Sequence, residues 1–262
     1  VFLLKRITCK IKNVDGSVSR KQKDMYRLLN HNIQRLLNQA ERIGEYGFPV
    51  LYCNTDIYPD YLALYNQPGY YHKTKNTGVC FYSYDISFDD IHGLFNAIYY
   101  GDKDLLTYYK ERFSGVKFFI SPDYSLFGDI QKIENLERVW KARIMALWFI
   151  LELHAIMIPN IMYYSEEDLP ITCCGLENCQ VVAFSAKGHV RNAAERNLTK
   201  NVVKYVVDHF PLKSIVVYSA CGNDENCLEL FQYAIDHRIK IIIPENSLRN
   251  RNIERRLQNE RK

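Results

Sequence analysis

The sequence predicts an α/β protein assembled from repeated β/α units around parallel strands. Three observations carry that expectation. Seven short apolar runs are spread along the chain, several of them continuous rather than alternating, as strands buried on both faces of a parallel sheet should be. Stretches of helical periodicity separate them. The composition, 262 residues with 47% hydrophobic and 24% charged, is that of a globular chain able to bury one large core without metals or disulfides.

Residues 2–11 alternate through Phe2, Leu4, Ile7, Cys9 and Ile11, and Asp15-Gly16 supplies a turn signal, which reads as an edge strand or hairpin. From Ser19, a suitable N-cap, the period becomes helical through Met25, Leu28, Ile33, Leu36, Ala40 and Ile43. That predicts a basic amphipathic helix over 20–43, stopped by Gly44 and Gly47 and lying outside the main fold. The apolar runs are Pro49–Cys53, Val79–Tyr84, Val116–Ile120, Ile156–Ile161, Val181–Ser185, Ser214–Tyr218 and Lys240–Ile243, with helical stretches at 129–153, 195–209 and 224–237. The division that follows is a basic extension over 1–46, an α/β domain over 47–246 that folds without either basic end, and a basic tail over 247–262.

Alternating β and α elements imply parallel strands joined by right-handed crossovers. The spacing suits a (β/α) barrel or an open doubly wound sheet, and seven strands favour the barrel-like arrangement. Neither Gly-x-Gly-x-x-Gly nor the P-loop pattern occurs, so nucleotide-binding versions of the open sheet lose support.

The net charge of +4 conceals an asymmetry: residues 1–42 carry +7, residues 248–262 carry +4, and the body between them carries −7. Basic ends on an acidic body point to a nucleic-acid partner or, more plainly, to solvated helices. Twenty tyrosines, eleven of them from Tyr46 to Tyr100, fit stacking on bases but equally a biased composition. Four apolar positions before Lys5-Arg6 are too few for a secretory segment, and the apolar stretch Ile144–Pro159 is interrupted by Glu152 and His154 and too short to cross a bilayer. No membrane partner is expected. Eight cysteines in such a chain read as reduced thiols in the cytoplasm.

Cys174/Cys179 and Cys221/Cys227 resemble zinc-ligand pairs, yet Cys179 precedes one parallel strand and Cys221 follows the next. That sets them a strand length apart, about 17 Å, too far to share an ion. The histidines show no metal spacing, and no metal or cofactor is expected.

In both candidate architectures ligands meet the carboxyl ends of the strands. Those ends carry Ser121, Asp123, Tyr124 and Ser125, then Asn160 and Tyr163, then Ser185, Lys187 and His189, then Ser219, and last Glu245 and Asn246. Asp123, Lys187 and Glu245 are the candidate acid–base residues; Ser121, Tyr124, Ser125, Asn160, Ser185 and Ser219 are candidate ligand contacts. The plainer account makes Asp123 part of a turn after Pro122, Ser125 a helix cap and Lys187 a surface residue.

The segment from Phe118 to Phe127, with its Ser121-Pro122-Asp123-Tyr124-Ser125 signature, resembles the bacterial and phage family catalogued as domain of unknown function 4417. Asn135, Trp140, Arg143, Trp148, Ile158-Pro159, Val181–Ser185 and Asp129 are similar to it as well. The similarity runs from Gly47 to Pro244, with departures at Ile150, Asn160 and Met162. The resemblance implies a setting in phages, plasmids and other mobile elements, strengthens Asp123 as a site residue and adds Arg143 as a candidate ligand contact. Three functions then compete: a mobile-element protein that binds nucleic acid through its basic ends, a hydrolase or nuclease-like enzyme working around Asp123, and an interaction module directed at other mobile-element or host proteins.

Overall fold

The computed structural model of the protein describes residues 31–188 and 192–260. The expected hairpin over 2–11, the first half of the basic helix, His189 and the last two residues lie outside them. Nine strands appear among the described residues: β1 (Arg42–Ile43), β2 (Phe48–Pro49), β3 (Tyr61–Leu64), β4 (Thr77–Cys80), β5 (Phe118–Ile120), β6 (Ile156–Ile158), β7 (Val181–Ser185), β8 (Ser214–Tyr218) and β9 (Lys240–Ile242). The helices are α1 (His31–Leu37), α2 (Leu94–Tyr100), α3 (Lys103–Arg112), α4 (Lys132–Leu153), α5 (Leu169–Thr172), α6 (Ala193–His209), α7 (Glu225–Leu228), α8 (Gln232–Asp236) and α9 (Ser247–Glu260).

The fold is mixed α/β with parallel sheets. One sheet has the order β3-β4-β5-β6 and the other β7-β8-β9, all pairs parallel. The two sheets meet through two isolated parallel bridges, each joining a residue just past the end of one strand to a residue within another. Asn160 pairs with Ala183 through Ile161 N–H to Ala183 O (3.0 Å) and Ala183 N–H to Pro159 O (2.7 Å). Tyr61 pairs with Glu245 through Leu62 N–H to Glu245 O (2.7 Å) and Glu245 N–H to Asp60 O (3.0 Å).

The continuous apolar runs are buried as their pattern requires: Phe118, Phe119, Ile120, Val181, Val182, Phe184, Ile215, Val216 and Val217 are all fully enclosed. Helix α4 presses a long apolar face on them, with Phe149 stacked on Phe119 at 4.2 Å between ring centres. It stops at His154, whose left-handed backbone (φ 53°) closes the helix, its N–H donating to Phe149 O. Much of the tyrosine-rich stretch is packing, since Tyr61, Tyr65, Tyr71 and Tyr82 are buried.

Three expectations are corrected. Pro49–Cys53 is not a sheet strand: after the small β1–β2 hairpin it runs extended through the core, Leu51 N–H bonding Gly175 O and Cys53 O accepting from Val181. The missing strand is β3, whose Tyr-Leu-Ala-Leu sequence carries little β-branched signal. The basic helix does not lie outside the fold over its described part. Ile33, Leu36 and Leu37 of α1 are buried in the main core, and Arg35 pairs with Glu152 of α4, as does Lys110 of α3.

Leu36→Ala should therefore destabilise the protein by about 2–5 kcal/mol, the cost of a cavity in a packed core. Arg35→Ala, which removes an exposed partner, should cost no more than about 1 kcal/mol. Urea melts of the two variants check this, and equal midpoints would mean that α1 does not belong to the core.

Candidate functional site

Strands β5 and β6 end side by side, and their continuations are locked together. Ser121 N–H donates to Ile158 O (3.1 Å), and Asn160 N–H donates to Ser121 Oγ (2.8 Å). Asn160, buried and standing at the bridge to β7, then uses both ends of its side chain: Nδ2 donates to Asp123 Oδ1 (2.7 Å), and Oδ1 accepts from the Tyr82 hydroxyl (2.9 Å). Tyr82 follows β4, so the ends of β4, β5 and β6 meet at Asn160, beside the middle of β7.

The loop carrying Asp123 is clamped on its far side as well. Asn135 of α4 accepts from Phe127 N–H (3.1 Å) and donates to Phe127 O (2.7 Å). Asp85 accepts from the backbone and hydroxyl of Ser125, at 3.1 and 3.3 Å. Ser125 is thus a loop clamp and not a helix cap.

Asp123 opens on a cavity of about 600 Å³ walled by Tyr124, Ser125, Asn160, Tyr163, Ser185 and the first turn of α6 with Asn192 and Glu195. Burial pushes its carboxyl from 3.8 up to about 7. The Asn160 hydrogen bond opposes that rise, the Asp85 carboxylate adds to it, and the Lys187 ammonium opposes it. Tyr163, on the same wall, shares a hydrogen bond with Thr199 (2.8 Å), and burial raises its phenol. A carboxyl at neutral pH, aimed by an amide and enclosed by aromatic walls, is suited to taking and returning a proton.

The structure thus gathers Asp123, Tyr124, Ser125, Asn160 and Ser185 around one cavity. Ser121 supports it from beneath through Asn160. Lys187 lines an adjoining cavity, its Nζ donating to Tyr82 O (3.2 Å). Ser219 is buried, its Oγ accepting from Cys221 N–H and its carbonyl from Asn246 Nδ2, so it serves the backbone. Glu245 stands at the other bridge, with an exposed carboxylate that accepts from Asn250 (3.3 Å), and lines neither cavity. Arg143 lies within the fold, donating to Thr172 O (2.9 Å) among Cys173, Cys174 and Cys179, where burial lowers its pKa. Tyr82, Asn192 and Glu195 belong to the site although their residue types gave no signal; the Asn192 cap on α6 was the one available hint.

Among the described residues no group of three or more His, Cys, Asp or Glu side chains is arranged to hold a metal. No described helix is long and apolar enough to cross a membrane.

The chain belongs to a family described as Domain of unknown function (DUF4417), whose profile matches residues 40–235 and so covers the Asp123 cavity. No curated protein and no solved structure matches the chain.

Two measurements follow. In the fold the Asp123 carboxyl holds its proton up to about pH 7, against 3.8 unfolded. Its neutral form thus stabilises the fold below the unfolded value, and that contribution is lost as pH rises through the folded one. Asp123→Asn imitates the neutral form and should melt no lower than the natural protein in mildly alkaline buffer, with a flatter decline of stability from acid to alkaline pH. The thiols form the second test. Burial pushes Cys53 and Cys173 up to about 12 and Cys179 and Cys227 up to about 11, and Cys80 rises too. Of the described cysteines, only the half-buried Cys174 and Cys221 should react with a thiol reagent before unfolding, as peptide mapping would show.

Proposed function

We propose that the protein is an enzyme of hydrolase type, in which Asp123 takes up and returns a proton at the strand-end cavity. The observation that carries this reading is the enclosed carboxyl pushed up to about 7 and oriented by Asn160. A general acid or base works best when its pKa is close to the ambient pH. A carboxylate that merely finished a turn would sit in solvent near its ordinary value. Asp85 and Lys187 are the charged neighbours of Asp123, the first favouring its neutral form and the second its ionised form, and Glu195 also lines the cavity.

In this reading the two sheets form one closed, barrel-like ring of seven parallel strands. The backbone pairs of Pro159 and Ile161 with Ala183, and of Asp60 and Leu62 with Glu245, support that closure. A ring gathers the carboxyl ends of its strands at one mouth, where the sites of such folds lie. Nucleic-acid association is a second reading, favoured by the exposed Arg251, Arg255 and Arg256 along α9. The mobile-element setting implied by the sequence resemblance agrees with a nucleic-acid or host-protein target.

The reading is tested by assaying the purified protein against chromogenic carboxylic esters, phosphodiesters and glycosides across the neutral range. One class should be turned over with a pH dependence centred near the Asp123 value, and Asp123→Asn should lower kcat/KM by about 100-fold or more. Turnover of none of them, or full turnover by the variant, contradicts it.

A further inference from the structure

We propose that the basic cavity adjoining the Asp123 site is the seat of a phosphate group, so that the molecule handled there is a phosphate-bearing one; this rests on the reading of Asp123 as a site residue. The cavity, about 650 Å³, lies between the loops that follow β7 and β8 and the outer half of α9. Lys187, Arg255 and Arg256 line it together with Asn252, Asn259 and Gly188, and among the described residues no acidic side chain does.

Several cations elsewhere on the surface face carboxylates: Arg35 and Lys110 share Glu152, Lys132 meets Asp168, Lys141 meets Asp89 and Lys200 meets Glu229. Lys187 and Arg255 make no ion pair among the described residues, although the body of the protein is acidic. One proton of the Lys187 ammonium is engaged by Tyr82 O, which leaves the others for an anion.

The cations are set in place by the fold. Helix α9 is fastened over the β8 loop by Arg249, which grips Asp224 with bonds of 2.9 and 2.6 Å, and by Asn252 Nδ2, which donates to Ala220 O (2.7 Å). It approaches so closely that a Cβ on Gly222 would stand 3.0 Å from Asn252 O. On the opposite wall Gly188 has φ +92° and open space where a Cβ would be, so a ligand can come up against the backbone there. The Arg255 guanidinium and the Lys187 ammonium beside such a space suit a group with several anionic oxygens, since guanidinium pairs with phosphate through parallel hydrogen bonds.

The two cavities adjoin. Gly188 lines both, and Ser185, on the wall of the Asp123 cavity, accepts from Lys187 N–H (3.2 Å). A phosphate held by Lys187 and Arg255 therefore leaves the body of its molecule to extend past Ser185 toward Asp123 and the aromatic side chains of Tyr163 and Tyr164.

Calorimetric titration of the full chain with inorganic phosphate, a mixture of 5′-mononucleotides and a short single-stranded oligonucleotide tests the proposal. Binding by the natural protein should weaken about tenfold or more in Arg255→Ala, an exposed residue whose loss leaves the core untouched. Mononucleotides that bind in competition with phosphate identify a small ligand, and binding by the oligonucleotide alone identifies a nucleic-acid backbone; both support the seat. Absence of binding by all three probes, or binding that Arg255→Ala leaves unchanged, overturns it. Loss of phosphate binding in Arg255→Ala together with full turnover by Asp123→Asn would keep the seat and reject Asp123 as its partner.

Discussion

The strand-end face depends on one buried amide. Asn160 is where the four-stranded sheet reaches the three-stranded one, and its backbone and side chain together reach Ser121, Asp123, Tyr82 and, through its neighbours, Ala183. Each of these partners is enclosed or half-enclosed, so each would lose a hydrogen bond that water cannot fully replace if the amide were absent. An amide suits the position because it donates from one end and accepts at the other. A threonine or an aspartate could not serve Asp123 and Tyr82 in the same way.

That arrangement determines the chemistry of Asp123. Enclosure alone would push the carboxyl higher, and the hydrogen bond from Asn160 and the ammonium of Lys187 pull it back. Burial is the largest influence, and against these two opposing groups it leaves the carboxyl at about 7. Glu195, at the start of α6, adds a second acid to the cavity wall from a different structural unit, so the cavity is built jointly by the two sheets.

Much of the framework was legible in the sequence because burial on both faces writes continuous apolar runs. Val181–Ser185 and Ser214–Tyr218 appear in the fold with the ends read from the pattern. The Ser121-Pro122-Asp123 turn was legible for the same reason, standing where a buried run stops. Strand β3 was not, since Tyr61–Leu64 is too short and too poor in β-branched residues to stand out, and Pro49–Cys53 copied a strand pattern because this extended core segment buries all its residues but Tyr52. Helices α2 and α3 carry exposed tyrosines that blur their period. Glu245 looked like a site residue because charge near a strand end is all that sequence reveals, and Arg143 because of the family resemblance, whereas Arg143 is turned inward and Glu245 outward. Tyr82 and Glu195 were hidden because their place depends on which strands are neighbours in space.

The central claim is that Asp123 exchanges its proton at neutral pH inside an intact fold, and a carbon-13 titration of its side-chain carboxyl by NMR reads this directly. The account predicts a midpoint of about 7, moving further upward when Lys187 is replaced by Gln, because the opposing charge is then gone. A midpoint near 3.8, unaffected by that change, would show an ordinary solvated carboxylate and would contradict the account.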